Sequence, residues 1–141
     1  MIPRLLLLLL LTGIPIAYCD IRWLVIPHIL VFPGIILGAG YRILTGISDF
    51  PVVALELSVS LLIGLACYAA AQGGLGFGDI LLALMVTAHA GLKNAFTALW
   101  IAVPAAAAVA LLLLALGCID RRTPLPWAPF YLAGSCFVML C

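Results

Sequence analysis

Charged side chains are so sparse in this chain that the gaps between them are as long as a membrane is thick. Only Arg4, Asp20, Arg22, Arg42, Asp49, Glu56, Asp79, Lys93, Asp120, Arg121 and Arg122 carry charge, and the windows between them run 5–19, 23–41, 57–78, 80–92, 94–119 and 123–141. A helix that crosses a bilayer needs about 17–25 mostly apolar residues. Four of the windows reach that length, and residues 2–18 make a further span if Arg4 snorkels at its outer end. Composition excludes the soluble alternatives: of 141 residues, 67% are apolar and 8% charged, against about 45–50% and about 25% in an ordinary soluble domain. A small soluble fold cannot bury that much apolar surface. The net charge of +1 leaves no basic patch for nucleic acid.

The chain therefore reads as all-α, a polytopic membrane bundle of about six transmembrane helices in one domain, 1–141. The helices are expected at roughly 2–18, 24–41, 51–71, 79–91, 95–117 and 126–141. The fourth window is short: thirteen residues span about 20 Å, against a hydrocarbon core of about 30 Å. Asp79 thus lies recessed in the membrane, or its helix starts earlier. The leucine-rich start resembles a secretory signal, but Ile16-Ala17-Tyr18 before Cys19 is a poor cleavage site, so it reads as a retained helix. Five cysteines without a C-x-x-C pair suggest neither zinc nor disulfides. The glycines read as markers of helix ends and of the Gly73–Gly78 stretch.

Alternation of six spans puts Asp20, Asp79 and the Asp120–Arg122 cluster on one face. Arg4, Arg42, Asp49 and Lys93 fall on the other, with Glu56 near it. Each face has three cations, so the positive-inside rule leaves the orientation open.

Two segments on the shared face carry possible chemistry, Cys19-Asp20-Ile21-Arg22-Trp23-Leu24-Val25-Ile26-Pro27 and Gly73-Gly74-Leu75-Gly76-Phe77-Gly78-Asp79. Acidic residues at membrane depth are costly and mark function by default. Two carboxyls that converge and share a proton form the working unit of aspartic proteolysis: one activates water while the protonated partner polarises the scissile carbonyl. Gly76 and Gly78 permit positive φ and close backbone approach, Pro27 can open the second helix, and Arg22 brings a fixed charge near the site. The simpler readings stand beside these. Asp20 and Arg22 also suit interfacial anchors, Asp79 suits a helix N-cap, and His28 and His89 suit ordinary helix positions.

Together these motifs resemble those of the type IV prepilin peptidases, which are intramembrane aspartic peptidases. Asp20, Arg22, Ile26 and Pro27 match the family's Asp-x-Arg motif with its proline seven positions after the aspartate. Gly76-Phe77-Gly78-Asp79 matches its Gly-x-Gly-Asp motif, and Pro126-Trp127-Ala128-Pro129-Phe130 matches the Pro-rich lead into its last helix. The resemblance implies catalysis by Asp20 and Asp79, supported by Arg22, Pro27, Gly76 and Gly78, with water as nucleophile and no metal or organic cofactor. It implies a prepilin or pseudopilin precursor as substrate, cut at the junction of a short basic leader and an apolar helix. The implied location is the bacterial inner membrane with the aspartates at the cytoplasmic face. The chain matches a short form without the methyltransferase region, so no N-methylation is expected. Leu81 stands where the family commonly has lysine, and His28 where it has Asn or Asp. Leu81→Lys is expected to fold, with altered electrostatics at the dyad. The alternative readings are a catalytically degenerate member acting as a membrane assembly subunit and a small proton- or cation-coupled transporter.

Overall fold

A computed structural model describes residues 2–72, 74–120 and 123–141. Gly73 and the Arg121–Arg122 pair, both part of the sequence expectations, lie outside the described residues. Among these residues are six helices and no strand: α1 (Ile2–Trp23), α2 (His28–Leu44), α3 (Phe50–Ala70), α4 (Phe77–Ala90), α5 (Leu92–Ala115) and α6 (Ala128–Leu140). Helices α1, α3 and α5 are long and apolar enough to cross a membrane; α2, α4 and α6 are shorter apolar helices. Large apolar side chains point outward, with Ile29 80% and Trp100 79% exposed. Exposure on that scale suits lipid rather than water, and the chain is a membrane protein of the helical-bundle kind.

The short fourth helix is the axis of the bundle. Nine of the fourteen residues of α4 are buried, and it packs against all five other helices. At 1.5 Å per residue it is about 21 Å long, so longer helices overhang it and a depression is left at each of its ends. Both depressions hold polar groups.

Close packing around α4 depends on missing side chains. Gly34 and Gly38 of α2 face Met85 and His89 of α4, and a Cβ at position 38 would stand 2.6 Å from His89 Nδ1. Small residues four apart that let two helices approach are a common membrane device. On the other side, Gly134 of α6 sits against the backbone of Ala98 in α5, in a row with buried Ala95 and Ala102. The expectation that glycines mark helix ends is therefore corrected: several are mid-helix contact points. Gly38→Ala is expected to destabilise the chain by about 1–3 kcal/mol through overpacking. Gly40→Ala, with open space around it, should be neutral or slightly stabilising. Thermal unfolding in detergent micelles distinguishes the two.

Helix limits differ from expectation where polar residues take part in the helix. Helix α1 continues to Trp23, so Asp20 lies in its last turn and not in a loop. Helix α2 begins at His28 and not at 24, with Pro27 outside it as an extended N-cap residue (φ −74°, ψ 114°). Helix α4 begins two residues before Asp79. Gly91 alone joins α4 to α5, with φ +82°, a backbone state that glycine adopts freely.

Leu81 is 5% exposed and belongs to the core. The expectation that lysine is accommodated there is corrected, because its ammonium group would be stranded among apolar side chains. Leu81→Lys is expected to lose about 3 kcal/mol or more, and Leu81→Met less than about 1.5 kcal/mol, in the same unfolding measurement.

Candidate active site

At the N-terminal end of α4 a cavity of about 200 Å³ is lined by Asp20, Leu24, Ile26, Gly76, Gly78, Asp79, Pro124, Leu125 and Trp127. It brings the last turn of α1, the α1–α2 link, the glycine loop and the approach to α6 to one place. The two aspartates, 59 positions apart in the sequence, meet here. They are near enough for the charge of Asp20 to act on Asp79.

Each carboxylate is held by a helix start. Asp20 is 6% exposed, and its Oδ2 accepts a 2.7 Å hydrogen bond from the Ala128 N–H. Ala128 is the first residue of α6, where backbone N–H groups have no partner within the helix. Asp79 is the third residue of α4, and its Oδ2 accepts from the Gly76 N–H at 3.1 Å, the return bond of a capping box. The N-cap position itself belongs to Gly76. Among the described residues each aspartate uses one carboxylate oxygen, Oδ2, in a hydrogen bond to a helix start, and neither Oδ1 has a hydrogen-bond partner.

The glycines serve by close approach. Gly76 has φ −77° and Gly78 is helical, so the expected positive φ at these positions is not found. A Cβ on Gly78 would lie 2.9 Å from Ile26 Cβ, and one on Gly76 would lie 3.1 Å from Asp79 Oδ2. Side chains here would push the α1–α2 link away or crowd the carboxylate. Strain appears instead at Leu24, whose φ of 52° costs a non-glycine residue roughly 1–2 kcal/mol. Its N–H bonds the Asp20 carbonyl at 2.9 Å, closing α1 just beyond the aspartate. Strained residues of this kind cluster at functional sites.

The remaining expected residues have different positions. Arg22 is exposed and does not line the cavity, so its expected place beside the site is corrected. Pro27 is half-buried and acts by starting α2. His28 and Tyr68 each meet the Phe77 ring edge-to-face, at 6.2 and 6.3 Å, which pins the glycine loop between α2 and α3. Leu24, Ile26, Pro124, Leu125 and the Ala128 N–H complete the site without having been singled out as site residues. The motif Pro126-Trp127-Ala128 was the only sequence signal that pointed to the α6 side. The sequence model of the type IV leader peptidase family matches residues 5–140.

The chain belongs to the type IV leader peptidase family.

No curated protein and no solved structure matches it. Membership makes peptide-bond hydrolysis the chemistry in question, and the fold is that of a helical membrane protein. The match spans all six helices, so the membership covers both aspartates and the α6 start that holds Asp20. No group of three or more His, Cys, Asp or Glu side chains suited to a metal is found among the described residues.

Proposed function

We propose that the chain is an intramembrane aspartic endopeptidase that removes the short basic leader from prepilin-like precursors, using Asp20 and Asp79. The observation that carries this reading is the single cavity lined by both aspartates at one end of the bundle. In the proposed reaction one carboxylate takes a proton from water as it attacks the scissile carbonyl. The other, protonated, donates to the carbonyl oxygen; as the C–N bond breaks, the first carboxyl passes the proton taken from water to the leaving amine and the second recovers its own from the gem-diol. The mechanism needs one proton shared between two carboxyls, an arrangement favoured wherever close carboxylates make double ionisation unfavourable. The bonds from Ala128 and Gly76 hold both groups in place before substrate arrives, which is where much of the catalytic advantage of a fixed site lies.

The surroundings suit the substrate class that the family resemblance implies. An apolar helix remains in the bilayer beside the outward apolar faces of the bundle, and a polar leader lies beyond the membrane end where the cavity opens. Gly76 and Gly78 line the cavity without side chains of their own, which leaves its space to an extended junction between the two. We place this end at the cytoplasmic face of a bacterial inner membrane, as in the family the motifs resemble. Leu81 does not line the cavity, which weighs against reading the missing lysine as loss of the reactive groups.

The test is direct. Purified chain in detergent is mixed with a prepilin bearing a basic leader, and the products are weighed by mass spectrometry. A single cut at the leader–helix junction is expected. Intact precursors after incubation with folded enzyme, across several prepilins, would overturn the proposal.

A further inference from the structure

The far end of α4 holds a larger cavity that the proposed reaction does not use. It measures about 410 Å³, within the about 300–1,000 Å³ range of small-molecule sites. Leu5, Ile47, Val138 and Met139 supply apolar walls, and Arg42, His89 and Asn94 supply polar groups. His89 lies ten residues beyond Asp79, about 15 Å along the helix, so the two cavities are separate.

Hydrogen bonding defines what this cavity accepts. His89 is 1% exposed, and its Nδ1 lies 2.8 Å from the Met85 carbonyl. A carbonyl only accepts, so Nδ1 carries the proton and, in the neutral ring, Nε2 is an acceptor. That buried Nε2 has no partner. Asn94 donates its Nδ2 to the Ala90 carbonyl at 2.9 Å, which leaves its Oδ1 as a second acceptor. Arg42 donates to the Thr87 carbonyl and Ser48 Oγ and pairs with Glu56 at 2.7 Å. The guanidinium has five N–H donors, more than these partners need, while Glu56 balances its charge.

The cavity thus offers two acceptors, spare donors on a guanidinium whose charge Glu56 balances, and apolar walls. We propose that it binds a zwitterionic phospholipid headgroup with a primary ammonium, of the phosphatidylethanolamine class. The ammonium donates to His89 Nε2 and Asn94 Oδ1, the phosphodiester accepts from Arg42, and the start of the acyl chains follows Leu5, Val138 and Met139. A choline headgroup has no N–H to donate and leaves the His89 acceptor unsatisfied, which is costly in a buried site.

The test uses the full chain in detergent stripped of phospholipid, with bound lipid counted by native mass spectrometry. Dioctanoyl phosphatidylethanolamine should bind saturably, at least about fivefold more tightly than dioctanoyl phosphatidylcholine. Asn94→Ala and His89→Leu should reduce that preference. Because His89 packs on Gly38, His89→Leu risks misfolding, and the comparison of two lipids on the unaltered chain stands without it. Equal binding of the two lipids overturns the proposal, as does an absence of saturable binding. Phosphoethanolamine alone binding as tightly as the lipid likewise overturns a lipid site. These readouts are independent of peptidase activity.

Discussion

Asp20→Asn and Asp79→Asn are each expected to abolish leader cleavage, by about 10⁴-fold or more, while the protein still folds and inserts. The expected size rests on the proposed dyad: removing either member of a unit that acts together costs nearly all of its contribution. The preserved fold follows from the bonds each side chain makes. Asparagine keeps a carbonyl oxygen that can still accept from the Ala128 N–H at position 20 or the Gly76 N–H at position 79. What it loses is the capacity to exchange a proton. Alanine removes that capacity and the helix cap as well, at about 1 kcal/mol for the cap. The asparagine variants should therefore melt near the unaltered chain, and the alanine variants measurably lower. The double variant Asp20→Asn/Asp79→Asn should be no slower than either single one. Near-normal processing of a prepilin by either asparagine variant would remove the dyad from the mechanism.

The sequence made much of this site legible because charge is so rare in it. With few ionisable residues, each aspartate stands out, and counting spans from the charge-free windows puts Asp20 and Asp79 on the same side. The glycine run before Asp79 marked the close approach correctly in place, though by the wrong means. Backbone dihedrals there are ordinary, and tight contact with Ile26 is what excludes a side chain. The helix limits near Asp20 were less accessible. Charge at Asp20 and Arg22 suggested an ending at 18, whereas the bond to Ala128 lets a carboxylate stay within the helix and be buried. That bond joins residues 108 positions apart, and no local pattern encodes such a pairing. The central place of α4 was hidden for a similar reason. Its thirteen-residue window reads as too short to span a membrane, and only packing shows that its shortness opens a cavity at each end.

The Arg42–Glu56 pair yields the largest expected effect on stability. Glu56 reads in sequence as a near-interface residue, and Arg42 as a loop-side cation. In the fold they meet at 2.7 Å, with side chains only 7% and 22% exposed. Glu56 Oε1 also accepts from the Leu92 N–H at 3.3 Å, at the first residue of α5, where the helix dipole favours an anion. Arg42 reaches the Thr87 carbonyl at 3.2 Å. One ion pair thereby ties α2, α3, α4 and α5 together at the end opposite the aspartates. Removing one partner from such a pair strands the other charge, typically at about 3–5 kcal/mol. Glu56→Ala should approach that range. Glu56→Gln should cost less, because the amide oxygen can still accept from Leu92. Arg42→Met strands the partly exposed Glu56 and should also cost less than Glu56→Ala, since water reaches that carboxylate. In the double variant Arg42→Met/Glu56→Ala no charge is left unpaired. Its loss should fall short of the two single losses added together by about 1–3 kcal/mol. Unfolding of the four proteins in mixed micelles measures this coupling. Strictly additive losses would show that the two side chains act independently and that the ion pair does not hold the four helices.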